Sequence, residues 1–572
     1  MTQVRSQRWI VVACFLAAAV LFFFANRGAY KGYFSDDDLD NLGWPTTVGN
    51  DVYVQGLLAI KFEGWNFRPV GSLYYRWLYR FFHLYFPPYV IAVQLLHGLN
   101  VALLYFLLRR LGSSPLAAGA GALFYSFHVA VMEIYWKPMY IFDLLCATFC
   151  LITLLLYVRG HWVAALLTFW LAYKSKEIAI MVPIVLLAFE WLLGDRKWKR
   201  LVPYFLISLV FGIQALLWNR TVDQRNPYAL HFDPGMLWDT IAFYWSALFF
   251  SVYAIVVIAA LLIWFRDRLL YFALIATIAL LVPMLALHQR LAAVYWYVPM
   301  LGVAVAVAAI AARTPRWAVA LFFLLWLPWN FIKLREQRPA IIAEGGRDRA
   351  LVAALEQYAR TIPTVKAVVY ENVPNEIKSW GMQGAVWHTF GPGVLAGWAG
   401  APDAPSLMQK VPMVLIRFQA PPLHVEGLFR DHDGPQSYVH FGGVVVESQF
   451  GAGWYDQGSR LRWTAPRAEC DFYRSPDATE FEIAATVPSY SLNREGPARV
   501  TVLENGESLG MQILNNSQGQ HLTWKLNRGE AGDKHITILS QPVRHGGPDD
   551  DRDLGIAVWE IGYTSHGATH SP

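Results

Sequence analysis

Four aspartates lie within five positions just after the first apolar stretch of the sequence. They are Asp36, Asp37, Asp38 and Asp40, in "YFSDDDLDNL". Carboxylates crowded beside a membrane lose solvation and repel one another, which raises their pKa and suits a general base near neutral pH. A solvated acidic turn is the simpler interpretation. The cluster by itself leaves both interpretations open.

Further ionisable side chains stand beside or within the later apolar runs. Such groups are costly at a membrane, so their convergence on one side predicts a shared site. Each one, taken singly, is equally well explained as an interfacial anchor or a satisfied buried group. They are His97, His128, Glu133, Lys137, Asp143, Lys174, Lys176, Glu177, His288 and Arg290.

The composition indicates which solvent these residues meet. Of the 572 residues, 55% are hydrophobic and 16% are charged, which is too apolar for a soluble chain of this length. A run of roughly 15 to 23 apolar residues can cross about 30 Å of hydrocarbon as a helix. We predict eleven such spans, at residues 9–25, 88–108, 115–132, 139–158, 161–174, 178–193, 201–218, 240–264, 269–287, 293–312 and 316–332.

The charges of the connecting loops predict the topology. Lys and Arg concentrate in the even-numbered turns, as expected of cytoplasmic loops. With the N-terminus in the cytoplasm, the acidic stretch and everything after about residue 333 lie on the outer side. The basic loops also account for the net charge of +5, so we infer no nucleic-acid partner.

The C-terminal part of the sequence has a different pattern. Residues 333–440 are expected to form an α/β connecting region, and residues 441–572 contain short alternating runs typical of a β-sandwich. Asn505 and Gly506 are expected in a tight hairpin turn, which needs positive φ. The predicted fold class is a polytopic α-helical membrane domain, residues 1–332, followed by a mainly-β domain on the outer side.

The ordered motifs of residues 9–332 resemble the GT-C superfamily of integral membrane glycosyltransferases. They are most similar to bacterial relatives of the tetratricopeptide-bearing O-mannosyltransferases and of the dolichyl-phosphate-mannose protein mannosyltransferases. The C-terminal segment resembles jelly-roll modules of cell-surface glycan enzymes. The matching positions are the acidic pair (Asp36 to Asp38), Arg-Pro (Arg68, Pro69), His-x-x-Asn (His97, Asn100), His with a downstream Glu and Asp (His128, Glu133, Asp143) and Ser-Lys-Glu with a later Pro (Ser175, Lys176, Glu177, Pro183).

The resemblance implies a reaction at the outer face of a bacterial inner membrane. A sugar passes from a polyprenyl-phosphate lipid to a hydroxyl of a glycan, lipid or protein acceptor. Asp37 is the implied base, because the family position is the first of an acidic pair that precedes a hydrophobic residue. Asp36 and Asp38 are the alternatives, and Asp40 is expected to be solvated.

The departing lipid phosphate needs cationic stabilisation more than it needs an acid. Arg290, Lys176 and Arg68 are the candidates, and the planar guanidinium of Arg is the better fork for phosphate oxygens. No set of metal ligands is predicted and no cofactor is assigned, and the sequence leaves dependence on a divalent metal open. The implied supporting residues are His97, His128, Glu133, Asp143 and Glu177.

A lipid or ion transporter, or a flippase-like protein, is the alternative function. The same charges would then bind an ion or a lipid headgroup. Inverted repeats or helices broken at the midplane would favour transport, and the sequence displays neither. An outer-surface binding or assembly protein is a third, weaker interpretation.

Overall fold

The computed structural model of the chain divides into two compact units. The first comprises residues 1–349 and 379–384, and the second comprises residues 350–378 and 385–572. The sequence-based division at residues 332 and 440 stays a prediction. The described residues are 2–564 except 61–66, 224, 250–263, 265, 376, 379, 409, 420, 431–433, 443–444, 457–459, 528–529, 546–549 and 551.

The first unit is helical. Three short helices, α2 to α4, lie between the first two long ones, and the last long helix ends in the second unit. The helices are α1 (Thr2–Asn26), α2 (Asp37–Thr47), α3 (Asn50–Leu58), α4 (Pro69–Phe82), α5 (Pro87–Arg110), α6 (Pro115–Phe127), α7 (Ile141–Val158), α8 (Trp162–Ser175), α9 (Val182–Leu192), α10 (Val202–Asn219), α11 (Pro234–Phe249), α12 (Arg268–Leu285), α13 (Met300–Ala311) and α14 (Arg316–Ala359).

The membrane-spanning capacity of this unit agrees with its composition. Six described helices are long and apolar enough to cross a membrane, and the bent pair Pro115–Phe127 and Val129–Tyr135 makes a seventh if it is one span. These coincide with seven predicted spans. The other four predicted spans meet the shorter helices α8, α9, α11 and α13, and part of the span at 240–264 lies outside the described residues. The prediction of a polytopic helical membrane domain is confirmed.

Local sequence explains where these helices begin and how closely they pack. Pro87 and Pro115 stand in the first turns of α5 and α6, where the fixed φ and the missing N–H of proline are tolerated. Gly121 of α6 lies against α13, so that a Cβ atom there would be 2.5 Å from the carbonyl oxygen of Ala304. Small residues of this kind let membrane helices approach closely.

The second unit begins with the end of α14 and a four-stranded sheet in the order β2-β1-β3-β4. Strand β1 is parallel to β2 and β3, and β4 is antiparallel to β3. The elements are β1 (Ala367–Glu371), α15 (Met382–Phe390), whose first turn belongs to the first unit, β2 (Leu395–Trp398), α16 (Ala404–Met408), β3 (Met413–Gln419) and β4 (His424–Arg430).

A β-sandwich follows, made of two antiparallel sheets in the orders β10-β9-β12-β7 and β11-β8-β15-β5. Asn505 and Gly506 both have positive φ, 48° and 87°, so the predicted hairpin turn is confirmed. The inward residues of both sheets share one hydrophobic core, and the predicted mainly-β domain is also confirmed. The elements are β5 (Tyr438–His440), β6 (Arg462–Trp463), β7 (Arg467–Arg474), β8 (Glu480–Thr486), α17 (Ser489–Glu495), β9 (Ala498–Glu504), β10 (Glu507–Leu514), β11 (Gln520–Lys525), β12 (Gly532–Gln541), β13 (Arg544–His545), β14 (Asp553–Leu554) and β15 (Ala557–Thr564).

Candidate functional site

The acidic turn, residues 35–40, leads into α2. Asp36 is the N-cap and has φ 51° and ψ −128°, a backbone conformation with positive φ that few residues other than Gly adopt. Asp37, Asp38 and Asp40 lie in the first helical turn, where the positive end of the helix dipole favours carboxylates. Successive helical residues point about 100° apart, so the three side chains meet different surroundings.

Asp38 is the interior member of the turn. Its side chain is buried, and its oxygens accept hydrogen bonds from the Tyr75 hydroxyl at 2.7 Å and the Ser35 N–H at 3.3 Å. Burial raises the pKa of Asp38 to about 7, and the two hydrogen bonds oppose this shift only in part. Because both oxygens are occupied and the residue is not exposed, Asp38 fixes the turn against α4.

Asp37 is the accessible member. It is half-buried, and within the described part of the chain its carboxylate makes no hydrogen bond or ion pair. Its charge acts on Arg290 and on Tyr228. This carboxylate is therefore available to a ligand while lying in the field of a cation.

Asp40 was expected to be solvated, and that expectation is wrong. Its two oxygens accept hydrogen bonds from the N–H groups of Gly381 at 3.0 Å and Gly384 at 2.7 Å. The segment 381–384 approaches so closely that a Cβ on Gly384 would lie 2.0 Å from the carbonyl oxygen of Leu39. Asp40 thus caps the first turn of α15, a long-range partner that the local sequence does not announce.

Arg68, just before α4, is held by Glu177. Its Nε and Nη2 donate to the two carboxylate oxygens at 2.8 and 3.0 Å, and its guanidinium lies 5.4 Å from the centre of the Phe142 ring. Burial alone would lower the pKa of Arg68, but the ion pair outweighs it and raises the pKa. Gly71 leaves room for this ring, since a Cβ there would be 2.1 Å from it.

Lys176 is held in the same way by Asp143. Its Nζ lies 2.7 Å from each carboxylate oxygen, and the two side chains are only 9% and 4% exposed. Asp143 stands in the first turn of α7, where the helix dipole favours it. The same Nζ lies 4.6 Å from the centre of the Tyr295 ring. The hydroxyl of Tyr295 accepts a hydrogen bond from Arg290, so Tyr295 contacts both cations.

Arg290 has aromatic partners in place of a carboxylate. Its Nε donates to the Tyr295 hydroxyl at 2.8 Å, and its guanidinium lies 4.2 Å from the centre of the Tyr228 ring. Among the described residues no carboxylate lies within ion-pair distance of it. Burial opposes the charge on Arg290, whereas Tyr295 and Asp37 favour it, and the net effect raises its pKa.

Glu133 and Lys137 form a second polar group beside the acidic turn. The Nζ of Lys137 lies 2.6 Å from Glu344 of α14 and 3.6 Å from Glu133, and the Tyr140 hydroxyl donates to Glu133 at 3.2 Å. The charge of Lys137 also acts on Asp38. These contacts link α14 to the loop before α7.

The two predicted histidines are bound to backbone and tyrosine groups within the helical packing. His97 lies 3.2 Å from the Ser126 carbonyl through Nε2 and 2.8 Å from the Tyr297 hydroxyl through Nδ1. A carbonyl can only accept, so Nε2 carries the proton and Nδ1 accepts. His128 Nε2 donates to the Leu248 carbonyl at 3.1 Å. His97 thereby joins α5 to α6, and His128 joins the end of α6 to α11.

The structure thus connects five of the predicted residues. The pairs Arg68–Glu177 and Lys176–Asp143 lie next to each other, since Asp143 also acts on Arg68, and Tyr295 joins Lys176 to Arg290. His97 and His128 are hydrogen-bonded elsewhere. Sequence reasoning missed three tyrosines and two glycines, and with 28 tyrosines and 42 glycines in the chain no spacing marks them. They are Tyr75, Tyr228, Tyr295, Gly381 and Gly384.

The side chains that could bind a metal ion are dispersed. The part of the chain that the structure describes contains no group of three or more His, Cys, Asp or Glu side chains arranged to hold a metal ion. The carboxylates of the site instead face cations or hydrogen-bond donors.

Comparisons with known proteins give distant structural similarities. No family model and no curated protein matches the chain. The crystal structure of ArnT from Cupriavidus metallidurans bound to undecaprenyl phosphate is 14% identical, with a TM-score of 0.45, over 72% of this chain and 93% of that one. The arabinofuranosyltransferase AftD from Mycobacteria is 12% identical, with a TM-score of 0.44, over 99% of this chain and 59% of that one. At these values the similarities assign the chain to no family.

Proposed function

We propose that the protein is a membrane glycosyltransferase that moves a sugar from a polyprenyl-phosphate donor to an acceptor hydroxyl. The observation that carries the proposal is a half-buried carboxylate, Asp37, whose charge acts on the guanidinium of Arg290. One is a carboxylate and the other a guanidinium, and each lacks an ion-pair partner among the described residues. A base and a phosphate-binding cation are the two groups that such a transfer needs.

Arg290 is the proposed ligand of the donor phosphate. Its Nε is occupied by Tyr295, which orients the guanidinium while leaving its other N–H groups for an anion. Arg68 and Lys176 were also predicted to bind the phosphate, but each already pairs with a carboxylate. Neutralised cations attract an anion weakly, so we assign Arg68 and Lys176 to holding the site's shape and Arg290 to the phosphate.

Asp37 is the proposed base. Geometry decides between the acidic residues before pKa does, and Asp38 is fully buried with both oxygens hydrogen-bonded. Asp40 caps a helix. Asp36 remains the alternative to Asp37, since it lies one residue away at the N-cap.

The chemical step then follows from these positions. The acceptor oxygen forms a bond to the anomeric carbon while its proton passes to Asp37. The bond from the anomeric carbon to the phosphate oxygen breaks, and the electron pair leaves with the lipid phosphate. Arg290 stabilises the charge that develops there, which is the kind of interaction that lowers a barrier most in a low-dielectric site.

The test combines lipid identification with one substitution. The purified full chain is extracted with organic solvent and its bound lipids are identified by mass, and a polyprenyl phosphate or its glycosylated form is expected. Transfer from that lipid is then measured for the wild type and for Asp37→Asn. Asparagine keeps the size of the side chain but cannot accept the proton, so turnover should fall by roughly 10² to 10⁴ while the lipid still co-purifies.

Asp36→Asn and Asp38→Asn are the matched controls. Loss of turnover in Asp36→Asn with normal Asp37→Asn would move the base by one residue. If all three variants transferred sugar at the wild-type rate, the carboxylate mechanism would be wrong. Translocation of the lipid between leaflets without sugar transfer would favour the transporter alternative.

A further inference from the structure

A groove of about 550 Å³ lies between α3 and α4, and its lining includes none of the residues assigned to sugar transfer. One face of each helix contributes, at the spacing of three and four residues that places side chains on a single helical face. The walls are largely apolar, and the polar lining includes two arginines. The lining residues are Asn50, Tyr53, Val54, Leu57, Pro69, Leu73, Arg76, Trp77 and Arg80.

Contacts with α8, a predicted membrane span, relate this groove to the helical unit. The indole N–H of Trp170 donates to the Leu57 carbonyl and the Tyr173 hydroxyl donates to the Ile60 carbonyl, both at 2.8 Å. Trp170 and Tyr173 stand in the last two turns of α8. Trp170 is half-buried and Tyr173 is buried, so α3 packs against the C-terminal end of α8. The ends of membrane helices are where interfacial tryptophan and tyrosine concentrate, which supports a position of α3 near the headgroups.

The outer surfaces of α3 and α4 carry exposed apolar side chains that water does not suit. Val54 is 55% exposed, Leu58 69%, Trp77 60% and Phe81 64%. A patch of this kind on two short amphipathic helices beside a membrane domain is typical of a surface that contacts lipid. The groove is therefore open toward the bilayer.

The two arginines give the groove its charge. Arg76 and Arg80 are four residues apart on α4, which places their side chains on one face about 5 to 6 Å apart at Cβ. The Arg76 guanidinium lies 4.8 Å from the centre of the Tyr53 ring, and Arg80 is exposed. Within the described residues neither has a carboxylate at ion-pair distance. Two neighbouring cations above an apolar wall suit a single phosphate with hydrocarbon attached.

We propose that the α3–α4 groove binds an anionic glycerophospholipid of the surrounding bilayer. Arg76 and Arg80 hold its headgroup phosphate, while Leu57, Leu73 and Trp77 contact the upper part of its acyl chains. The inference goes beyond the proposed function, because this lipid is neither donor nor acceptor.

The position of the groove on α4 separates it from the transfer site. Tyr75, the neighbour of Arg76, is fully buried and donates to Asp38, and adjacent helical residues point about 100° apart. The lipid and the acidic turn therefore contact different faces of one helix. Occupancy of the groove steadies α4, and with it the hydroxyl that holds Asp38.

Native mass spectrometry of the delipidated full chain in detergent tests the proposal. The probes are phosphatidylglycerol, phosphatidylcholine and undecaprenyl phosphate, each added at the same concentration. The wild type should bind phosphatidylglycerol more tightly than phosphatidylcholine, and Arg80→Gln should reduce that preference by about fivefold, the contribution of one surface arginine to anionic lipid. The double variant Arg76→Gln, Arg80→Gln should abolish the preference for phosphatidylglycerol. The single variants Arg76→Lys and Arg80→Lys keep the positive charge and should retain most of that preference.

A charge-matched control removes two exposed arginines of the second unit, Arg360→Gln with Arg499→Gln. Phosphatidylglycerol binding equal to wild type in the groove variants, or an equal loss in the control, would overturn the proposal. Loss of undecaprenyl phosphate alone from the groove variants would also overturn it, by making the groove the donor site. Because Arg80 is exposed, Arg80→Gln should leave the melting temperature unchanged and so report binding without a folding defect. The lipid readout does not depend on sugar transfer, so its failure is distinguishable from failure of the proposed enzyme.

Discussion

Buried or half-buried arginines occur in both units of the chain, and their partners differ. In the sandwich, Arg462 is 1% exposed and donates to both oxygens of Glu447, with its guanidinium 4.5 Å from the Phe441 ring centre. Arg474 pairs with Glu504 at 3.0 Å. In the helical unit, Arg290 contacts two tyrosines and, among the described residues, no carboxylate within ion-pair distance.

This difference separates charges that stabilise a fold from charges that remain available to a ligand. A buried ion pair has satisfied its attraction internally, and removing one partner leaves the other uncompensated. A cation held only by aromatic rings and a hydroxyl keeps its attraction for an external anion. The helical unit contains both kinds, since Arg68 and Lys176 are paired as in the sandwich.

The largest expected effect on stability concerns the buried ion pairs. Asp143→Asn should leave Lys176 buried without its counter-charge and lower the free energy of unfolding by about 3 to 5 kcal/mol, as is usual when a buried pair is broken. Unfolding in mixed detergent micelles measures this. The double variant Asp143→Asn, Lys176→Met is the control and should recover most of the loss, whereas an unchanged single variant would contradict the comparison.

Substitution of Arg290, which has no carboxylate partner among the described residues, should change the rate of sugar transfer and not the stability of the protein. Arg290→Ala should lower the turnover of sugar transfer by roughly 10² to 10³, the effect of removing one group that stabilises developing charge. Arg290→Lys should lie between it and the wild type, because a point charge replaces the planar fork. Melting temperatures of all three proteins should agree closely. Equal turnover in the three would remove Arg290 from the site.

The buried Asp38 should make stability depend on pH. Its pKa is raised to about 7 by burial, so the folded protein holds a proton that the unfolded chain has already lost above about pH 4. Stability should therefore fall as pH rises from about 4 to about 7, by at most about 1.4 kcal/mol per pH unit. Asp38→Asn should lose this part of the dependence, and identical pH profiles of wild type and variant would contradict the assignment.

The smallest effect is expected at Asp40. Asp40→Ala removes a carboxylate that caps the first turn of α15, and loss of such a cap costs about 1 kcal/mol. The exposed Asp51 of α3 is the matched control, and Asp51→Ala should change the melting temperature less. A silent Asp40→Ala would return this residue to the solvated role first expected of it.

Several parts of the fold and of the site were predictable because their signals are local. Apolar runs predict membrane helices wherever they are long enough, and the Asn505–Gly506 turn follows from two residues that tolerate positive φ. The strand β7 has a weaker local signal than its neighbours, because "RAECDFYR" alternates polar and apolar residues but contains no β-branched residue. The last predicted span, at 316–332, continues as one helix to Ala359. The local sequence does not announce this continuation, because the helix runs through Pro328, Pro339 and the pair Gly345–Gly346.

The sequence by itself determined that an apolar helical membrane domain precedes a mainly-β domain, and it showed which ionisable residues lie beside the apolar runs. Periodicity and composition act over a few residues, which is why they suffice for this. Only the tertiary structure decided which charged side chains form an ion pair or a hydrogen bond. Asp143 meets Lys176 from 33 residues away and Asp40 meets Gly384 from 344 residues away. Whether a carboxylate is buried, capped or left open depends on such long-range contacts, since desolvation and pairing are properties of the packed surroundings and not of the residue.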